Sequence, residues 1–448
     1  MKKYTLFLLQ CIRSKEVRIS LLLITVLGII SIFIGNKHLE RQQQAIVEVS
    51  SYQKKHFDRQ VALHQDDLGL LLYYTKFSYI NSLDPLAGVS IGQADVNPTV
   101  KQITIKTFEA QRFDTDLVNP MNLQSGNLDL SFVIIYLFPL LAIVLTFNVV
   151  SEETETGTWS LLAIQAKSKL GFIISKLAVR FLLLTLILVL LFSIAKFTLD
   201  IPFTANFLAM IALAIFYLVF WFVLSFFVII FKKSSGFNAL LLLSVWLVLI
   251  ILIPAGINSY VSAKYPIPEA LSTAIAQRDG YHVKWDTDKA TTIEKFYQHY
   301  PQFKEYGYPT EGFNWLWYYA MQQMGDDDSK KERDALNEKI KLREQASRNL
   351  AKLVPNMYLQ LMFNQLAGTG ISQQLDYLEA TRQFHEKLRL FFYPKIFESK
   401  SADVIDWNQF TPEYYNPTSK ISPWQSSIPV LIASVFIVLF AIPRIKKL

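Results

Sequence analysis

FLAMIALAIFYLVFWFVLSFFVIIF, residues 207–231, carries no charged side chain along its whole length. A bilayer core about 30 Å thick takes roughly 20 helical residues, so this run is long enough to cross one. Hydrocarbon offers a bare backbone amide no partner, which leaves a helix as the conformation open to it. Five further apolar runs lie at 19–35, 130–150, 177–197, 239–257 and 428–443, the last slightly short unless 424–427 are counted with it. The chain has 448 residues, 52% of them hydrophobic, against about 45–50% in soluble domains. Composition is therefore only suggestive; the gathering of apolar residues into six runs decides the class. The expectation is an all-α polytopic membrane protein with six transmembrane helices.

Ahead of the first run, Tyr4, Phe7, Leu8 and Cys11 recur at helical spacing beside Lys2, Lys3, Arg13 and Lys15. Residues 1–18 read as an amphipathic helix on the cytoplasmic membrane surface, with a plain extension of the first span as the other reading. A cleaved signal fits poorly, because bulky Gln10 precedes Cys11 and RSKEVR follows at once. Cys11 is the only cysteine, so no intrachain disulfide can form. Lys and Arg flanking the spans mark the cytoplasmic side. They place both termini and the connector 151–176 there, with fourteen basic and four acidic residues on that face. The basic pI, about 9.1, is thus a topological signal and not a nucleic-acid footprint. The chain reads as a multi-pass membrane protein with both termini on the cytoplasmic side.

Two long segments, 36–129 and 258–427, fall on the opposite side. LERQQQAIVEVSSYQKKHFDRQVALHQ (39–65) reads as a helix running straight on from the first span, and KQITIKTFEAQRF (101–113) as a short strand. DDDSKKERDALNEKIKLREQASRNLAKLV (326–354) reads as an amphipathic helix. Asp326–Ser329 would cap it, Leu336, Ile340 and Leu350 would form its apolar stripe, and Pro355 would stop it. ISQQLDYLEATRQFHEKLRLFFYPKIF (371–397) is another, ending near Pro394. A large, mainly helical extracytoplasmic domain with a little β is expected.

Several chemistries lack their residues. There is no G-x-x-x-x-G-K-[ST] phosphate loop. No span carries Asp, Glu or His at its middle, which argues against an ion-coupled transporter; Arg180 and Lys196, near the ends of the third run, read as snorkelling. The six histidines (38, 56, 64, 282, 299, 385) show no H-E-x-x-H spacing and read as surface residues. The aromatic band of the fourth run, from Phe216 to Phe227, reads as packing in preference to a lipid path. With no catalytic, metal or cofactor-binding constellation, the chain reads as non-catalytic.

The charged connector SEETETGTWSLLAIQAKSKLGFIISK (151–176) remains. Its glutamates and Leu161-Leu162 suggest a surface helix whose charges orient it on a soluble partner and whose leucines give grip. This stretch resembles the coupling loop of permease subunits of ABC transporters of the ABC-2 type, E-x-E-x-G-T-x-x-x-L-L-x-x-P-x-S-R followed by a lysine entering the third span. Glu153, Glu155, Gly157, Thr158, Leu161 and Leu162 match to within a residue of spacing, Glu152 adjoins them, and Lys176 stands for the lysine. The proline is missing near Gln165, and Lys167-Ser168-Lys169 replaces the Ser-Arg turn. NPMNLQSGNLDLSFVIIYLFPLLAIV (119–144) and LVPNMYLQLMFNQLAGTG (353–370) look like a bacterial subgroup with large extracytoplasmic loops of unknown function. The resemblance implies a dimer of permease protomers, homo- or heteromeric, in membrane lipid, with two ABC ATPase subunits. ATP and Mg would sit on those subunits and no cofactor on this chain. Export is the commoner direction in the family. The alternative is a mechanical relay, in which the ATPase drives the outer domain to regulate a periplasmic or envelope partner and no cargo moves.

Overall fold

A computed structural model describes residues 2–112, 127–165, 168–269, 272, 275, 278, 283–286, 288–309, 312–417 and 428–445. Lys167 and His282, and residues 424–427 considered for the last span, lie outside the described residues. The chain is mostly helical, and among the described residues five helices are long and apolar enough to cross a membrane; by these it is a membrane protein. They belong to α2 (Lys15–Leu63), α5 (Leu130–Phe132, Val133–Leu137 and Phe138–Thr146 in series), α8 (Lys169–Thr198), α9 (Ala205–Ile229) and α10 (Ser235–Lys264). The final helix, Ile428–Ile445, is apolar but shorter.

α1 (Lys2–Arg13) ends earlier than residue 18, because Ser14 leaves the helical region and its hydroxyl accepts the Val17 N–H to start α2. The expected continuation of the first span is present. α2 has 49 residues, about 74 Å at 1.5 Å per residue. Its first half lies among the apolar helices, where Gly28 meets Leu191 and Gly35 passes the Gly88 carbonyl; a Cβ at Gly35 would lie 1.9 Å from that oxygen. Its second half enters a distal domain, where Ile46 and Val49 pack on Ile80. There the Gln53 amide accepts the Ser78 N–H at 2.7 Å and donates to the Phe410 carbonyl at 2.9 Å.

α9 is the hub of the apolar half. Its aromatic band turns inward: Tyr217 and Trp221 are fully buried, and Phe220 and Phe222 join the same core. Tyr217 also answers a backbone need. Pro139 has no N–H for the carbonyl four residues earlier, and α5 loosens into a π-helical turn over Val133–Leu137. The Tyr217 hydroxyl donates to that carbonyl, Ile135, at 2.9 Å, and the Trp246 indole to the next, Tyr136, at 3.2 Å. A second π turn, Val248–Leu252, precedes Pro254 in α10. The outer faces of α2, α10 and the last helix expose Leu22, Phe33, Leu240, Leu247, Phe436 and Phe440, as surfaces facing lipid do.

The distal domain combines α3 (Leu68–Tyr74), α4 (Phe108–Gln111), α11 (Lys289–His299), α12 (Trp315–Asp328), α13 (Lys330–Ala351) and α15 (Ile371–Phe397) with a small sheet, while α14 (Pro355–Leu366) between the last two buries Leu359, Phe363 and Leu366 in the core of the apolar half. The sheet order is β2-β1-β3: β1 (Phe77–Asn81) pairs antiparallel with β2 (Val100–Ile103) and parallel with β3 (Glu413–Tyr415). The strand expected in 101–113 is thus confined to its start, and Phe108–Gln111 form α4 instead. Asp326 does not cap α13. It lies in the last turn of α12, accepts the N–H groups of Phe108 and Glu109 at 3.0 and 2.9 Å, and pairs with Arg389 at 2.8 Å. Ser329, also expected as a cap, is buried and donates to Gly325 O. Pro355 opens α14, where its absent N–H costs nothing, and Pro394 lies inside α15. Nor are all histidines superficial. His385 is buried, its Nε2 2.7 Å from the Lys106 carbonyl, and burial holds its pKa well below the usual range.

Candidate functional site

At the end of the molecule away from the distal domain, the connector forms an elbow. α6 (Ser151–Glu155) follows α5, the chain turns at Gly157, and α7 (Trp159–Gln165) leads toward α8. Gly157 has φ +74°, and a Cβ there would meet open space. Glycine is therefore called for by the left-handed backbone and not by crowding.

Two carboxylates lock the elbow. Glu153 Oε1 lies 2.5 Å from Lys176 Nζ, while Oε2 accepts the Thr158 hydroxyl, also at 2.5 Å. Lys176 is on the second turn of α8 with its side chain 4% exposed; the Glu153 side chain is 15% exposed. The ammonium also faces the rings of Phe172 at 5.0 Å and Phe7 at 6.0 Å. Those two rings meet edge to face, 5.4 Å apart, so α1 is clamped over the same lysine.

Glu155 reaches a different helix. Its carboxylate accepts the Ser235 N–H at 2.7 Å and the Ser235 hydroxyl at 2.8 Å, at the positive N-terminal end of α10. The Ser235 hydroxyl also lies within hydrogen-bond distance of the Ser151 hydroxyl, 2.8 Å away. Asn238 of α10 donates to the Phe147 carbonyl at 3.2 Å. One short elbow is thereby fastened to α8, α10 and, through Phe7, α1.

From the sequence, Glu153 and Glu155 are expected to present charge to a partner; in the structure both carboxylates also bond within the chain, Glu153 half-buried and Glu155 exposed. Glu152 is exposed like Glu155, and is held by the Asn148 amide at 2.9 Å. The leucine pair divides. Leu162 packs half-buried against the apolar core, while Leu161 is 61% exposed. Ile164, absent from the expectation, is 84% exposed one turn further on. Thr158 braces Glu153, and Lys176 is the buried partner of that same carboxylate. Ser235 was also missed. Its signal was KKSSGFN before an apolar run, the mark of a helix N-terminus wanting an acceptor; that the acceptor would come from 80 residues away had no local sign.

Residues 270–415 match a family described as a domain of unknown function (DUF3526), and residues 104–288 match a protein of unknown function (DUF2705). The first match lies on the distal domain; the second runs from α4 through α10 and includes the elbow. No curated protein and no solved structure matches the chain.

Proposed function

We propose that the chain is the permease subunit of an ATP-driven transporter of the ABC-2 type, working as an exporter in a bacterial inner membrane. In this reading six helices cross the bilayer, the Ile428–Ile445 helix included. Both termini and the elbow are cytoplasmic, and the distal domain is outside. A second protomer, identical or homologous, completes the membrane unit, and two ATPase subunits bind ATP and Mg beneath it.

The observation that supports this reading best is the elbow itself. It carries exposed Leu161 and Ile164 at its tip, while Glu153 and Glu155 fasten it to two apolar helices. A soluble partner gripping α7 would pull on α8 and α10 together. Burying a Leu or Ile side chain is worth about 1.5–3 kcal/mol, roughly tenfold or more in affinity per residue. Leu161→Asp and Ile164→Asp are therefore expected to weaken ATPase copurification and stimulation in nanodiscs by at least about tenfold each. Lys54→Glu, far up α2, is the control. Wild-type stimulation in both elbow variants would refute the proposal.

The relay reading draws support from α2, one continuous helix from the elbow end to the Gln53 lock in the distal domain. ATP-dependent change in protease protection of the distal domain, with no flux of any exported solute in sealed vesicles, would favour it over transport.

A further inference from the structure

α13 and α15 run antiparallel in the distal domain, with cavities of about 400 and 360 Å³ between them. The cavities share Phe108, Glu109, Arg333 and Arg382 as lining, so they adjoin as one trough. Lys341 and Asp376 stand at one end, Lys330 and Glu386 at the other. Each volume falls within the roughly 300–1,000 Å³ of clefts that hold small ligands.

The floor is made of buried charge. Glu109, its side chain 1% exposed, lies between Arg333 at 3.1 Å and Arg112 at 3.6 Å. Its Oε2 accepts no hydrogen bond among the described residues. Burial raises the pKa of this carboxyl despite both arginines. Beside it, Arg389 is held by Asp326. Such pairs are often no more stabilising than apolar residues of the same size, so the need to fold gives no reason for so much charge beneath a cavity. Buried ionisable groups lining a cleft are instead a mark of binding sites.

The rim carries both signs. Arg382 pairs with Glu379 at 2.5 Å and Arg333 with Asp334 at 3.1 Å. Lys330, Lys341, Glu338 and Asp376 are exposed and make no ion pair with any described residue. A purely anionic ligand would meet Glu338 and Asp376, and a purely cationic one Lys330 and Lys341. A ligand with both signs set apart along its length meets a partner for each. Lys330 and Asp376 stand at opposite ends, to receive a carboxylate and an ammonium. Along α13 from Lys330 to the Lys341 end, where Asp376 lies, the rise is about 16 Å, the length of about five extended residues at 3.3 Å each. Phe108, Leu375 and Leu378 add an apolar patch for a small side chain.

We propose that this trough binds a short extended peptide bearing a free amino and a free carboxyl group. The proposal stands apart from the transport reading, since no ATPase or flux enters its test. The full chain in nanodiscs is titrated calorimetrically with pentaalanine, its N-acetyl form, its C-amide and the doubly blocked peptide. Free pentaalanine should bind, and each block should weaken binding about tenfold. In Lys330→Gln/Lys341→Gln the amide should bind no worse than the free acid; in Glu338→Gln/Asp376→Asn the acetyl form should bind no worse than the free amine. All four side chains are exposed, and unchanged melting temperatures will show that folding is intact. No heat with free pentaalanine at millimolar concentration, or equal binding of the doubly blocked peptide, overturns the proposal.

Discussion

Removing the charge of Glu153, of Lys176, or of both separates two roles for the elbow. In Glu153→Gln the Thr158 hydroxyl keeps an acceptor, but the Lys176 ammonium, 4% exposed, loses its counter-charge. Two aromatic faces remain near it, and a cation–π contact returns only about 0.5–2 kcal/mol. Breaking a buried pair from one side costs about 3–5 kcal/mol; with that offset the expected loss is about 1–4.5 kcal/mol. Lys176→Met strands Glu153 instead, which keeps more water (15% exposed) and its Thr158 bond, so about half that loss is expected. The double variant leaves no stranded charge, and its loss should be smaller than that of Glu153→Gln alone, a coupling of at least about 1 kcal/mol. The assay is reversible denaturation of the purified chain in detergent, with ATPase stimulation measured on the same samples. If Glu153 acts only as an internal tie, stimulation will recover in the double variant along with stability. Additive losses in stability would refute the pairing. Recovered stability without recovered stimulation would show that Glu153 touches the partner directly.

Three other outcomes follow from the structure. Cysteines placed at exposed Ser51 and Lys341 should react with an impermeant thiol reagent added outside sealed cells, and one at exposed Ser168 should not; labelling at Ser168 would reverse the orientation. Tyr217→Phe leaves the Ile135 carbonyl buried without the donor that Pro139 cannot supply, and should cost about 1–3 kcal/mol, read as a lowered denaturation midpoint. His299 is bound by Asp327 at 2.8 Å, which raises its pKa above the ordinary value. The stabilisation is complete below about pH 6.5 and disappears as pH rises through the folded value. His299→Asn should therefore melt lower than wild type in acid, and the two curves should converge in mild alkali; a constant gap would exclude titration of His299 as the cause.

The apolar runs are legible because lipid demands a contiguous signal about twenty residues long; four lie within a helix of the structure, and 130–150 and 207–231 run on past the ends of α5 at Thr146 and α9 at Ile229. The run-on of α2 is legible for a similar reason: Ile46, Val49 and Phe57 continue a helical period past the last lipid-facing residue. The sheet is not. β1 and β3 are five and three residues long and pair across more than three hundred positions, and β3 has no period that a local reading could catch. Asp326 misleads for the opposite reason, since it has every property of a helix cap while the groups it satisfies lie in α4. In the elbow, residue types and order pointed to the place but not to the direction of the bonds. Glu155 faces Ser235, and Glu153 faces Lys176, because three helices converge there, which no window of sequence contains.

α2 is also a keyed shaft. Gly35, where it slides past Gly88, and Gln53, where its amide engages β1, are eighteen positions apart. At 3.6 residues per turn that is five whole turns, so both keys lie on one side of the rod. One residue added or lost between them would turn Gln53 by about 100° away from its keyway, whereas seven would return it to within about 20°. The number of residues between bilayer and distal domain is therefore held by angular phase, and homologous chains should vary there in whole heptads or not at all.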